Sequence, residues 1–153
     1  NMEALALSLM MWLQVNCSVP GISPEHDLCK LNYNVPVPKV EVVSRRELYK
    51  EYSGADAPSI NGGFTAFYRY STKTIWLQED DYHNDMIAKT TLMHEIVHYL
   101  HHMNGMDNTG CLAELEISAY KTVKHIYNKM YGLYADVSKH IQHYIGNACN
   151  RMY

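Results

Sequence analysis

What is scarce in this chain closes off several classes of protein. No run of apolar residues reaches the roughly 18 to 20 needed to cross a bilayer, so membrane insertion is not expected. Glycine and proline are few, 8 and 5, which excludes collagen-like and low-complexity readings. Basic charge is in deficit. Lys and Arg total 13 against 16 acidic residues, the net charge is -3, and no block of consecutive Lys or Arg offers a footprint for nucleic acid or anionic lipid. Phenylalanine and tryptophan number 2 each while tyrosine reaches 13, the signature of many half-buried rings with a polar tip. The four cysteines include no Cys-x-x-Cys pair, so a structural zinc knuckle is not expected.

What is present suits one ordinary globular domain spanning residues 1–153. The chain is 153 residues long and 47% hydrophobic, enough to bury a core. Met2 to Val15 is apolar but lacks the basic start and small-residue cleavage site of a leader. It is read as an amphipathic core helix, with Ala4, Leu7, Met11 and Val15 on the buried face and Leu5, Leu9 and Trp12 beside them. Cys17 to Pro38 carries most of the prolines and is read as irregular, without helix. Val40 to Val43 is a short strand, and Ser44 with Glu47 three residues on forms a capping box for a helix to about Tyr52. Gly54 to Gly63 is a loop. Phe64 to Tyr70 and Thr74 to Gln78 are the arms of a hairpin turning at Ser71 to Lys73, and an acidic turn follows at Glu79 to Asp81. Asn84 or Asp85 caps a buried helix that runs to about His102 and ends near Gly105. Further helices are expected over about Leu112 to Tyr131 and Ala135 to Ala148. The fold class is α+β.

The residues that carry chemistry are His94-Glu95-Ile96-Val97-His98. On a helix, positions i and i+4 stack one turn apart, so both imidazoles can reach a single Zn²⁺. Glu95 then lies beside the metal without binding it, placed to take a proton from water that the metal acidifies. Random placement of 9 His and an equal number of Glu would produce this pattern roughly 0.03 times per chain. Three titratable residues inside an otherwise apolar helix would also be costly to bury without partners.

A catalytic zinc needs a third protein ligand. Glu114 and Glu116 lie close downstream, about 200° apart around a helix, so only one can face the metal. Glu116 shares a face with Leu112, Ala119 and Val123, read as the buried stripe; Glu114 groups with Ser118 and Lys121 and reads as solvated. Glu116 is therefore the expected ligand. His101 is about 10.5 Å along the axis from His94, too far to share an ion with both His94 and His98. His101 and His102 are expected to line the cleft exit or to face water. Tyr120, one turn beyond Glu116, is a candidate oxyanion donor or partner to a zinc-bound His.

His94, Glu95 and His98, followed by Glu116-Ile117-Ser118-Ala119-Tyr120, resemble the gluzincins, the thermolysin-like zinc peptidases. The likeness is closer to small bacterial metallopeptidases in which a Trp-bearing helix, a hairpin, the His-Glu-x-x-His helix and a Glu-x-x-Ala-Tyr helix occur in this order. A metzincin would carry Gly at position 101 and His at position 104, where this chain has His101 and Asn104. The resemblance implies a single compact zincin-like domain with a small antiparallel sheet or hairpin packed on the active-site helix. It also implies an edge strand beside the cleft that pairs with extended substrate, a role it gives to Thr74 to Gln78. The expected function is hydrolysis of a peptide or protein substrate, with Zn²⁺ on His94, His98 and Glu116, and with Glu95 as general base. A metal-binding pseudoenzyme or interaction module, and an amidohydrolase acting on a non-peptide amide, are the alternatives.

Cysteines 17, 29, 111 and 149 allow three pairings. An antiparallel arrangement of the last two helices would bring Cys111 to Cys149, leaving Cys17 and Cys29 to bridge the Pro-containing loop. Two sensible pairs point to an oxidising compartment, secreted or periplasmic, with cytoplasmic residence and four thiols as the alternative.

Overall fold

The computed structural model describes residues 1–54, 65–106 and 112–147. Its elements in chain order are α1 (Met2–Val15), β1 (Lys39–Val43), α2 (Arg45–Ser53), β2 (Ala66–Arg69), β3 (Thr74–Gln78), the single-turn α3 (Glu79–Tyr82), α4 (Asp85–Met103), α5 (Leu112–Tyr131) and α6 (Ser138–Asn147). The protein is an α+β domain in which a small sheet and the remaining helices are arranged around α4.

Local signals set most of the boundaries. The Asn1 side chain accepts from the amides of Glu3 and Ala4 and starts α1. Ser44 Oγ accepts from the Glu47 amide at 3.2 Å, and Asn84 Oδ1 from the Ile87 amide at 3.1 Å, so both caps satisfy amides that have no partner inside the helix. Gly54, at φ 75°, closes α2 in the left-handed conformation that glycine tolerates best. α6 begins at Ser138 rather than near Ala135, because Asp136 Oδ1 accepts from the Ser138 amide at 3.0 Å.

α4 is buried on nearly every face, as its run from Leu92 to Leu100 requires. It packs against α1, α5, β2 and β3. The buried face of α1 differs from the expected one. Met2, Ala6, Leu9, Met10 and Leu13 point inward, while Leu7, Met11 and Val15 are exposed, Val15 to 84%, and Ala4 is exposed too. Because α1 is apolar around most of its circumference, periodicity alone does not distinguish one stripe from the other. Packing on α4 and β1 makes that choice.

The sheet is mixed, not antiparallel, and its order is β1-β3-β2. β3 pairs parallel with β1, with Val40 opposite Ile75, and antiparallel with β2, with Tyr68 opposite Ile75. The strand expected at the edge, Thr74 to Gln78, is thus the central one. Its burial pattern agrees, since Thr74, Ile75, Leu77 and Gln78 are all buried and both faces are covered. The hairpin itself forms as expected, with Lys73 at φ 52° in its turn.

Residues 17–38 contain two 3₁₀ turns, Pro24–His26 and Leu28–Lys30, where no helix was expected. Cys17 and Cys29 form a disulfide with Cα atoms 4.9 Å apart. Closing a loop of this length stabilises a fold by about 3 kcal/mol. Cys111, Cys149 and the Gly54 to Gly63 loop beyond its first residue lie outside the described residues. The Pro-containing segment is fastened to α4 twice. The Asn32 amide donates to Asn104 Oδ1 and Asn104 Nδ2 donates to the Asn32 carbonyl, at 2.8 and 3.2 Å, and the Tyr99 hydroxyl donates to the Pro36 carbonyl. Among the described residues no helix is long and apolar enough to cross a membrane.

His101 does not face water. Its exposure is 0%, and among the described residues neither ring nitrogen has a hydrogen-bond partner. The 3₁₀ turn covers it, with the His26 ring 5.8 Å away at a steep angle. Burial, with His98 and then His26 adding repulsion, pulls its pKa down from 6.5 to about 3. The folded imidazole therefore stays neutral while the unfolded one takes up a proton below about pH 6.5. Stability from this residue is complete above that pH and declines as pH falls toward 3. In metal-free protein, lowering the pH from 6 to 5 should cost wild type roughly 1 kcal/mol more than His101→Leu, as measured by urea unfolding. Parallel losses in the two proteins would show that His101 titrates normally in the fold.

Candidate metal centre

α4 and α5 lie side by side, and their facing turns bring together the three side chains expected to hold a metal. His94 and His98 project from consecutive turns of α4, and Glu116 from the second turn of α5. Nε2 of His94 is 3.3 Å from Nε2 of His98 and 3.4 Å from Oε2 of Glu116. Nε2 of His98 contacts Oε1 of Glu116 directly. All three offer a ligand atom within 4.8 Å of the others.

These separations test whether a metal fits. Four ligands placed tetrahedrally at zinc distances of about 2.0 to 2.1 Å stand about 3.3 to 3.4 Å from one another. Both spacings from His94 Nε2 have that length, whereas the His98–Glu116 contact is much closer and would have to open to admit an ion. The donor set of two imidazoles and one carboxylate suits a first-row divalent metal with an open position. Electrostatics support the same reading. Burial acts to raise the Glu116 pKa, but the His98 charge, hydrogen bonds from both imidazoles and the His94 charge outweigh it and hold the carboxyl well below its usual range. Glu116 is thus an ionised carboxylate, ready to be a ligand. His98 Nδ1 is buried and has no hydrogen-bond partner among the described residues.

Glu95 sits beside this group but outside it. Burial raises its pKa from 4.5 to about 7, with the His94 charge opposing and Glu116 assisting. A carboxyl that changes protonation near neutrality is suited to exchanging protons with a reactant. Tyr120 packs its ring edge-on to His94, centroids 4.6 Å apart. Burial, then the charges of Glu116 and Glu95, push its phenol up to about 12, so it is a proton-bearing donor throughout the physiological range.

A cavity of about 700 Å³ opens above the group, and His94, Glu95, His98, Glu116 and Tyr120 all line it. The rest of its wall was not foreseen as such. Phe67, Tyr68 and Tyr70 come from β2 and the turn after it, Val123 and Tyr127 from α5, and His140 from α6. On α5 the face on which Glu116 was expected with Ala119 and Val123 divides: Glu116 and Val123 line the cavity with Tyr120 and Tyr127, Ala119 is in the core, and Ser118, expected to be solvated with Glu114, is buried. The core stripe of α5 is Leu115, Ala119, Thr122 and Ile126. Glu116 is thus the one of the two carboxylates that joins His94 and His98, and it does so from the cavity wall. His140 had no sequence signal: it reaches the site because α6 folds back on α5 and stacks its ring on Tyr120 at 4.6 Å and 3°. His102 bonds through Nδ1 to the Tyr68 hydroxyl at 2.6 Å, which places it behind the β2 wall.

Taken together, the fold and site define an α+β domain with a His₂Glu group of metal-binding type held between its two longest helices. The chain belongs to the family described as a domain of unknown function, DUF6647, whose family model matches residues 4–152. No curated protein and no solved structure matches it.

The ligand geometry yields a direct expectation. Glu116→Ala should weaken the tightest zinc site by on the order of 10² or more, comparable to losing an interaction worth about 3 kcal/mol, while Glu114→Ala leaves that site within about threefold. Competition with a chromophoric chelator measures both. Equal affinities in the two variants would remove Glu116 from the centre.

Proposed function

We propose that this protein is a zinc-dependent hydrolase of the gluzincin type, a peptidase that cleaves peptide bonds, with His94, His98 and Glu116 as the metal ligands. The observation that carries this reading is the convergence of His94, His98 and Glu116, with ligand atoms within 4.8 Å of one another, beside a buried carboxylate that does not join them. Bound zinc supplies Lewis acidity, polarising a substrate carbonyl and acidifying water.

The chain's own residues do the rest. Glu95 accepts a proton from the attacking water on one carboxylate oxygen and returns it to the departing amine nitrogen, as a carboxyl that lines the cavity beside the ligands without joining them can do. Tyr120 keeps its proton and donates a hydrogen bond to the oxygen where negative charge develops. The aromatic walls around the cavity lower the local dielectric and so strengthen both interactions. Of the described strands, β2 is the outer one on the cavity side. Strand addition by an extended substrate, expected of β3, therefore belongs to β2 in this proposal. The Cys17–Cys29 disulfide supports an oxidising compartment, and residence outside the cytoplasm goes with it as part of the same reading.

Replacing Glu95 by Gln separates catalysis from metal binding. Side-chain size is kept and the proton acceptor is removed, so zinc content and Tm should change little while turnover falls by on the order of 10² or more. The assay is chelator-sensitive cleavage of a peptide library by zinc-loaded protein. Wild-type turnover in Glu95→Gln would overturn the mechanism. Zinc-loaded wild type that cleaves no peptide would favour an amidohydrolase if non-peptide amides are hydrolysed, and a binding module if they are not.

A further inference from the structure

A second cavity, of about 360 Å³, lies between the second half of α5, the first turn of α6 and Pro20. It shares no lining residue with the cavity above the candidate metal centre. Its volume falls in the range of pockets that take small ligands. At roughly 30 Å³ for each water-sized group, it has room for about twelve non-hydrogen atoms.

One part of its wall is apolar. Pro20, Val137 and Ile141 line it together with Leu133 and Tyr134, and these last two are large side chains left 47% and 75% exposed. The other part is cationic. Lys121 and Lys124 stand three residues apart on one face of α5, and both are half-buried. Withdrawing an ammonium from water is costly unless a counter-charge meets it. Lys121 Nζ uses one of its three donors on the Gly21 carbonyl at 2.6 Å, and Lys124 Nζ lies 4.8 Å from the centre of the Tyr134 ring. Neither contact supplies a full negative charge. Among the described residues neither ammonium makes an ion pair. Asp136 also lines the cavity, but the amide and hydroxyl of Ser138 both donate to its Oδ1, at 3.0 and 2.6 Å. One fixed negative charge thus faces two positive ones.

We propose that this cavity binds a small amphiphilic carboxylate, its charge held by Lys121 and Lys124 and its apolar chain lying against Leu133, Val137 and Ile141. The carboxylate relieves the repulsion between like charges one turn apart on α5 and accepts from the Lys121 donors that Gly21 does not use. The chain removes from water the apolar surface that Leu133 and Tyr134 leave exposed. Both contacts are needed. An alcohol of the same chain length lacks the first and acetate lacks the second. Because the occupant touches α5 and the first turn of α6 together, it also holds the two helices in register.

Calorimetric titration of the chelator-stripped full chain with octanoate, below its micelle concentration and at low ionic strength, tests this. One equivalent should bind and raise Tm, with 1-octanol and acetate each weaker by about tenfold or more. Lys121→Gln with Lys124→Gln should weaken octanoate by about tenfold or more, the ordinary loss when a hydrogen bond to a charged group is removed. Lys121→Arg with Lys124→Arg should keep it. In wild type, octanoate should shift the amide resonances of Leu133 to Ile141 and leave those of Phe67 and Thr91, on the other cavity, in place. Octanoate that does not bind wild type would overturn the proposal. So would equal affinity in a folded glutamine variant, or shifts at Phe67 and Thr91 without shifts in Leu133 to Ile141.

Discussion

Two imidazoles and a carboxylate facing one point between α4 and α5 form the constraint on which the rest of this structure depends. Nitrogens of His94 and His98 lie 3.3 Å apart, a distance at which two protonated rings would repel strongly in a low-dielectric setting. The Glu116 carboxyl, held well below its usual pKa range, faces both rings. Both imidazoles contact the carboxylate, so its charge is not left without a partner, which would cost several kcal/mol. Helix packing alone would not select this seam. An apolar α4–α5 interface would be easier to build, and the polar group placed there instead is one that could hold a metal ion.

The surrounding elements are arranged to hold that seam. α1 and the sheet pack on α4 from other sides and leave its His face toward α5. β2 and the turn after it wall the cleft with aromatic rings, and α6 adds His140 against Tyr120. The loop closed by Cys17 and Cys29 folds over the C-terminal half of α4 and buries His101.

Most of the helical frame and the convergence of His94, His98 and Glu116 could be read from the residues. Asn84 and Gly105 bracket α4, and i, i+4 spacing on a helix leaves His94 and His98 little choice but to share a face. Glu116 was distinguishable from Glu114 by a half-turn of phase. Four features were not legible, each for a physical reason. β3 is central because β1 joins it in parallel through a crossover, and strand alternation says nothing about neighbours so distant in sequence. α1 buries Leu9 and Leu13 in place of Leu7 and Met11 because a helix apolar on most faces carries no phase information. The fate of His101 depends on a 3₁₀ turn far away in the chain, and His140 reaches the cleft only through the docking of α6.

The claim that organises this account is that the α4–α5 seam is a metal site, and crystals of zinc-loaded protein measured at the zinc absorption edge test it most directly. The account predicts that the strongest anomalous peak lies about 2.0 to 2.1 Å from Nε2 of both His94 and His98 and about 2.0 to 2.2 Å from a Glu116 oxygen, with Glu95 nearby and not bonded to it. Zinc-saturated crystals with no peak at that point, or with Glu95 in place of Glu116 among the ligands, would contradict it.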